Sequence, residues 1–403
     1  MKNNDKFEHL NQYIADKIRN NELSCAMVAV REKGTLIYKN KWGFSNVEKQ
    51  EPVSDDSVFR VMSMTKPVTA VAIAQLFEQG KLHLDDKVSS ILPCFAHPKV
   101  CCDPRYVYRP GMGQNDLISM LAAFQKDDVK CVDAKREITV RDLLCHCSGL
   151  EQGLVGLLLM QKNRFKRTSL EQAAEVYATY PLGFEPGTEA SYSPLAGFDV
   201  LARILEVVSG QDAKTYFQEH LFDPLEMSHS TFARSKVNPE KLVRLYKRDN
   251  NGLVNVTNTQ EDMVHFFDGV DGYVCGSGGL YSTLGDYENF ANMLRQYGLF
   301  NGKRILKKET VELLSREGSL HHLETDPGMV WGLGVKIRQD PSKYRTNSTV
   351  GSYGWSGAYG THFFVSPKDD LDVVFFANMQ DANGSGFPVS KEVERLVYEA
   401  IKG

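Results

Sequence analysis

Residues 59–79 read Phe59-Arg60-Val61-Met62-Ser63-Met64-Thr65-Lys66-Pro67-Val68-Thr69-Ala70-Val71-Ala72-Ile73-Ala74-Gln75-Leu76-Phe77-Glu78-Gln79, and Gly80 follows. From Ser63 to Gln79 the pattern is helical, stopped at the glycine. Val68, Ala70, Val71, Ala72, Ile73, Ala74, Leu76 and Phe77 leave almost no polar face, so this helix belongs in a core. Ser63 and Lys66 stand at its head. Positions i and i+3 share a helix face, which sets an ammonium beside a hydroxyl. A serine hydroxyl is a weak nucleophile until a base sits next to it, and a buried lysine can be that base. The helix N-terminus adds partial positive charge that favours a developing alkoxide. Pro67 fits the first turn, where backbone donors are unpaired anyway. Taken alone, the four residues also read as an N-cap serine with a solvated lysine. A lysine on a core helix, however, needs a partner.

Outward from this helix the chain changes period. Phe7, Leu10, Ile14 and Ile18 share one face of a helix over residues 5–20. Ala26–Val30 and Thr35–Tyr38 then read as two strands joined near Lys33-Gly34. Helical patterns dominate residues 139–260, with Leu170–Tyr177 and Phe198–Val208 the clearest. Strand patterns return from about residue 262, at Val330–Ile337, Thr361–Val365 and Leu371–Ala377, and an amphipathic helix over Ser390–Ile401 closes the chain. Strands at both ends and helices between them predict an α/β (α+β) architecture. In it, residues 1–60 and 262–403 form one mixed, largely antiparallel sheet flanked by helices, and residues 61–261 form an inserted all-helical lobe that carries the nucleophile helix. Residues 94–135 hold Cys94, Cys101, Cys102 and Cys131 with Gly111-Met112-Gly113, and read as a long loop with a short helix near Leu117–Phe124.

Composition narrows the function. With 47 Lys and Arg against 51 Asp and Glu, the formal charge of the 403 residues is −4, which disfavours nucleic acid as a partner. No apolar run reaches membrane length; Gly153–Met160 is too short. The first residues lack an apolar signal segment, so the expected location is cytoplasmic. The eight cysteines then read as free thiols. Cys145-His146-Cys147 lacks the spacing and the second pair of a zinc knuckle, and His321-His322 has no metal-site context, so no metal is expected.

Phe59–Thr69 resembles the nucleophile segment of the serine β-lactamase and penicillin-binding-protein superfamily, nearest its class C β-lactamase-like branch, which includes the family VIII carboxylesterases. Further segments are similar in the same order. They are Leu82-His83-Leu84-Asp85-Asp86-Lys87-Val88, then Ile138–Leu150 with cysteines at the two threonine positions of ITVRDLLTHTSGL. Gly276–Thr283 and Trp355-Ser356-Gly357-Ala358-Tyr359-Gly360-Thr361 follow. The resemblance covers residue 20 to the C-terminus without 101–130, and implies the β-lactamase/transpeptidase-like fold. It implies that Ser63 is the nucleophile, with Lys66 and Tyr192 as its proton-transfer partners. Tyr192-Ser193-Pro194 departs from the family's Tyr-x-Asn, and proline has no amide to offer. It implies an oxyanion hole from the backbone N–H groups of Ser63 and Ala358, and substrate contacts from Trp355, Ser356 and Gly357. Trp355 stands where β-lactamases carry a cation, which moves the expectation from β-lactams to esters. Gly354–Ala358 is one residue short of a Gly-x-Ser-x-Gly elbow, but a strand rather than a helix follows it. The resemblance thus implies a cofactor-free serine hydrolase acting on a small-molecule ester or amide, most closely a carboxylesterase. Acyl transfer, D-amino-acid peptidase or weak β-lactamase activity, and a non-catalytic binder on the same fold, are the alternatives.

Overall fold

The computed structural model describes residues 6–107, 112–162, 165–250, 252–263, 273–316, 318–319, 323–343 and 346–402. The N-terminal helix α1 (Glu8–Arg19) leads into the hairpin β1 (Cys25–Glu32) and β2 (Thr35–Asn46), followed by the short β3 (Glu51–Pro52). The core helix α2 spans Thr65–Glu78, and two further helices that matter for the site are α3 (Ala196–Ser209) and α4 (Leu284–Arg295). The remaining strands are β4 (Glu324–Asp326), β5 (Met329–Trp331), β6 (Lys336–Arg338), β7 (Tyr353–Ser356), β8 (His362–Ser366) and β9 (Leu371–Ala377). Helix α5 (Pro388–Lys402) ends the chain.

The nine strands form one sheet in the order β4-β5-β6-β7-β8-β9-β1-β2-β3. Every pairing in it is antiparallel. Both ends of the chain therefore meet in its centre, where Val28 of β1 lies opposite Phe375 of β9. Alternation of side chains sorts these strands onto two faces. Ala26, Val28, Val30, Val373 and Phe375 pack with Leu10, Ile14, Val393 and Val397 of α1 and α5. Met27, Ala29, Phe363, Val374 and Phe376 pack on the other face with α2, α3 and α4 in one continuous core.

The structure revises three details of the pattern reading. The Val330–Ile337 run is two strands, β5 and β6. It breaks at Gly334, whose φ is +79° and whose missing side chain lets the turn sit on Ala70 of α2; a Cβ there would lie 2.4 Å from that of Ala70. Two helices, α4 and Lys308–Leu314, precede the strands in the region read as returning to sheet. The lobe between the sheet halves is not all-helical. It carries antiparallel hairpins at Lys99–Cys101 with Cys131–Asp133 and at Tyr246–Asp249 with Gly252–Asn255. The helix expected inside the insertion is present, as Gln114–Ala123. His321-His322 and Gly111 lie outside the described residues. Among those residues, no helix is long and apolar enough to cross a membrane.

Candidate active site

Ser63 does not open the helix itself but sits in a 3-10 turn, Met62–Met64, immediately before α2. Met62 holds φ = +51°, a conformation that costs a non-glycine residue energy and needs its surroundings to enforce it. The surroundings do so from three directions. The Val61 N–H donates to the Leu280 carbonyl (3.1 Å). The Val61 carbonyl accepts from the Thr361 hydroxyl (2.9 Å), and the Thr65 hydroxyl donates to the Met62 carbonyl (2.6 Å). The Thr65 oxygen also accepts the Leu280 N–H (3.1 Å). The Gly276–Thr283 and Trp355–Thr361 segments thus grip the turn that carries Ser63.

Gly357 explains how closely. A Cβ on it would lie 2.2 Å from the Val61 carbonyl oxygen, so β7 can reach this turn only with glycine at that position. Sequence reasoning assigned Gly357 to substrate approach; its demonstrable role is to admit the nucleophile turn. Ala358 follows it, on the segment that touches Val61, which brings the two backbone groups expected to form an oxyanion hole onto adjoining segments.

The three side chains singled out from the sequence converge. The Tyr192 hydroxyl donates to Ser63 Oγ at 2.6 Å, and Lys66 Nζ donates to the same oxygen at 3.4 Å. Lys66 is 1 % exposed. Its ammonium also donates to the carbonyls of Pro194 (2.7 Å) and Ser277 (2.9 Å), and makes no ion pair among the described residues. Pro194 therefore serves through its backbone at the position where the Tyr-x-Asn pattern has an amide. Lys66 Nζ lies 4.9 Å from the centre of the Tyr192 ring.

Tyr192 is in an irregular segment, and rings and buried polar groups hold it. Its ring lies 4.9 Å from His146, 5.3 Å from Trp355 and 6.2 Å from Trp331. His146, the centre of Cys-His-Cys, accepts the Ser193 N–H on Nδ1 (3.1 Å). Burial, with smaller contributions from Lys66 and Lys336, depresses its basicity well below the ordinary range. Glu151 accepts the N–H groups of Leu195 and Ala196, both at 2.8 Å, just where α3 begins. Asp199 on α3 accepts from the Ser277 N–H (3.1 Å) and hydroxyl (2.9 Å), so it positions the carbonyl that meets Lys66. Sequence reasoning missed Glu151, Asp199 and Ser277. Asp199 had a signal: a carboxylate inside the apolar run Phe198–Leu205 must have a partner.

Glu151 yields a pH prediction. Burial pushes its carboxyl up to about 7, against the two N–H bonds that lower it. A carboxyl that holds its proton more tightly when folded contributes stability that is complete below its unfolded pKa of 4.5 and is lost as pH rises through about 7. In Glu151→Gln, the loss of stability between pH 5 and pH 8, read by urea unfolding, shrinks by on the order of 2 kcal/mol. It does not vanish, because burial also raises the Asp372 carboxyl to about 7. An unchanged difference in the variant contradicts the assignment.

Trp355 and Ser356 leave β7 on opposite faces. Trp355 is buried against Trp331 (4.6 Å between ring centres) and forms an apolar wall beside Tyr192. Ser356 Oγ bonds His362 Nδ1 (2.8 Å), whose Nε2 bonds Glu394 of α5 (2.7 Å). Burial would raise the Glu394 carboxyl, but Arg338 and His362 outweigh it and hold it below its ordinary value. These groups, with Lys336, line a cavity of about 310 Å³ that reaches Trp355. After Ser356 the chain turns into β8, so the near-elbow has no helix behind its serine.

A family model described as Beta-lactamase matches residues 10–394. The chain belongs to the beta-lactamase family. Among relatives, it is 23% identical over 413 residues to esterase EstB of Burkholderia gladioli, covering 94% of this chain and 92% of EstB. It is 24% identical over 420 residues to monacolin J acid methylbutanoyltransferase of Aspergillus terreus, covering 95% and 92%. The solved structure of EstCE1, described as a hydrolase with promiscuous acyltransferase activity, superposes with a TM-score of 0.77 at 24% identity over 98% of this chain and 99% of that one. This beta-lactamase-family fold thus occurs in esterases and acyltransferases, and the family match over residues 10–394 takes in all the ordered motifs.

Proposed function

We propose that the protein is a serine carboxylesterase that cleaves small-molecule esters through an acyl-enzyme on Ser63. The observation that carries this is the pair of contacts on Ser63 Oγ, 2.6 Å from Tyr192 and 3.4 Å from Lys66. Ser63 Oγ attacks the ester carbonyl while its proton passes to the Tyr192–Lys66 pair. The N–H groups of Ser63 and Ala358 receive the negative charge on the carbonyl oxygen. The proton then goes to the departing alcohol, and water, activated by the same pair, releases the acid. No step calls for a metal or an organic cofactor. Trp355, a neutral indole, favours ester substrates with apolar parts over β-lactams, and Ser356 and Gly357 border the substrate's path. The reading places the chain in the cytoplasm, in keeping with its eight free thiols.

In Tyr192→Phe, kcat on a short p-nitrophenyl ester falls at least about 10²-fold, the size of a lost proton relay. The ring packing on His146 and Trp355 survives this change, so the melting temperature shifts little. Turnover equal to wild type would remove Tyr192 from the mechanism.

The methylbutanoyltransferase relative favours a second reading on the same acyl-enzyme, transfer of the acyl group to an alcohol instead of water. Product analysis with added alcohol acceptors, nitrocefin and a D-Ala-D-Ala peptide separates hydrolysis, acyl transfer, β-lactamase and peptidase activity.

A further inference from the structure

The insertion at 94–135 is closed at its base by the antiparallel hairpin of Lys99–Cys101 and Cys131–Asp133, in which Cys101 stands opposite Cys131. The backbone fixes which kind of pair this is. The Ala134 N–H donates to the Pro98 carbonyl (2.9 Å) and the Cys102 N–H to the Lys130 carbonyl (2.9 Å). Hydrogen-bonded and non-hydrogen-bonded pairs alternate along an antiparallel ladder. With Pro98/Ala134 and Cys102/Lys130 hydrogen-bonded, Cys101/Cys131 falls at a non-hydrogen-bonded position. There the Cα atoms approach to about 4.5 Å and side chains are closest. The other pair of this kind on the same face, Lys99 and Asp133, already meets across the strands in an ion pair. A disulfide accepts Cα separations of about 4.4–6.8 Å, so a bond between Cys101 and Cys131 needs no movement of either strand. Cys131 is exposed, Cys101 is half-buried, and both are free thiols.

We propose that Cys101 and Cys131 are a thiol–disulfide exchange site that a small disulfide such as glutathione disulfide converts to a cross-strand bond. The thiolate of one cysteine attacks the glutathione disulfide, expels one glutathione thiolate and leaves a mixed disulfide. The thiolate of the other cysteine attacks the protein sulfur of that mixed disulfide, forms the Sγ–Sγ bond and expels the second glutathione. The two protein thiols give up two electrons and two protons, and the glutathione disulfide takes up both. Burial holds both thiols above their ordinary range, so the exchange is faster at pH 8.5 than at pH 7. The hairpin is tied into the lobe: the Cys101 N–H donates to the Leu182 carbonyl and the Leu182 N–H to the Lys99 carbonyl, both at 2.8 Å. The new bond therefore staples the base of the insertion where it is anchored.

The test uses the full-length protein, treated with glutathione disulfide at pH 8.5, alkylated and digested with trypsin. Cleavage after Lys99, Arg105, Lys130 and Lys135 puts Cys101 and Cys102 in one peptide and Cys131 in another. The expected result is the two peptides recovered as a disulfide-linked pair in most of the protein. Cys102→Ser keeps the link, and Cys101→Ser and Cys131→Ser each lose it, all three with wild-type circular dichroism. Recovery of Cys131 only alkylated or only glutathione-capped, a Cys101–Cys102 bond, or a link that Cys102→Ser abolishes would overturn the proposal.

Discussion

In a Lys66→Ala variant, kcat for a short p-nitrophenyl ester falls at least about 10²-fold, the minimum for losing a general base. The protein is also destabilised by about 1–3 kcal/mol, because the Pro194 and Ser277 carbonyls lose their buried donor. The two effects separate in Lys66→Arg. A guanidinium supplies donors and charge but never gives up its proton at neutral pH, so it can restore stability without restoring turnover. Recovery of full activity with arginine would show that Lys66 acts only as a structural cation. Addition of a small primary amine to Lys66→Ala, with partial return of turnover that grows as pH rises, is the complementary readout.

The second large effect is Ser63→Ala. Removing one oxygen from a half-buried position leaves the turn intact, since the turn is held by Val61, Thr65 and Thr361 and not by Ser63 itself. Far-ultraviolet circular dichroism and the melting temperature stay at wild-type values. Ester hydrolysis falls at least about 10⁴-fold, because no acyl-enzyme can form and only binding and charge stabilisation remain. A Ser63→Ala protein that hydrolyses esters at the wild-type rate would rule the mechanism out.

How much of this was legible depends on the range over which each feature acts. Ser63 and Lys66 are three residues apart, so one helical turn decides their contact, and the apolar run behind them announces a core helix. The β1–β2 hairpin is local in the same sense. Helix α4 was also legible, yet the strand reading passed over it. Leu284, Tyr287, Ala291 and Leu294 recur at helical spacing behind the cap Thr283, whose hydroxyl accepts the Asp286 N–H (3.2 Å). Tyr192 is different. It lies outside regular structure, 129 residues from Ser63, and only its place in the order of motifs pointed to it. The use of the Pro194 carbonyl in place of an asparagine side chain was not legible, because a backbone carbonyl is present at every residue. The Ser356–His362–Glu394 line joins two strands and a terminal helix, and only the register of β7 on β8 reveals it.

Covalent capture tests the central claim most directly. The native protein is treated with a fluorophosphonate and mapped by mass spectrometry, alongside the Ser63→Ala variant. One adduct per chain, located on Ser63 and absent from the variant, is the predicted result. A native protein that takes up no label, or that carries it on another serine such as Ser356, would contradict the account.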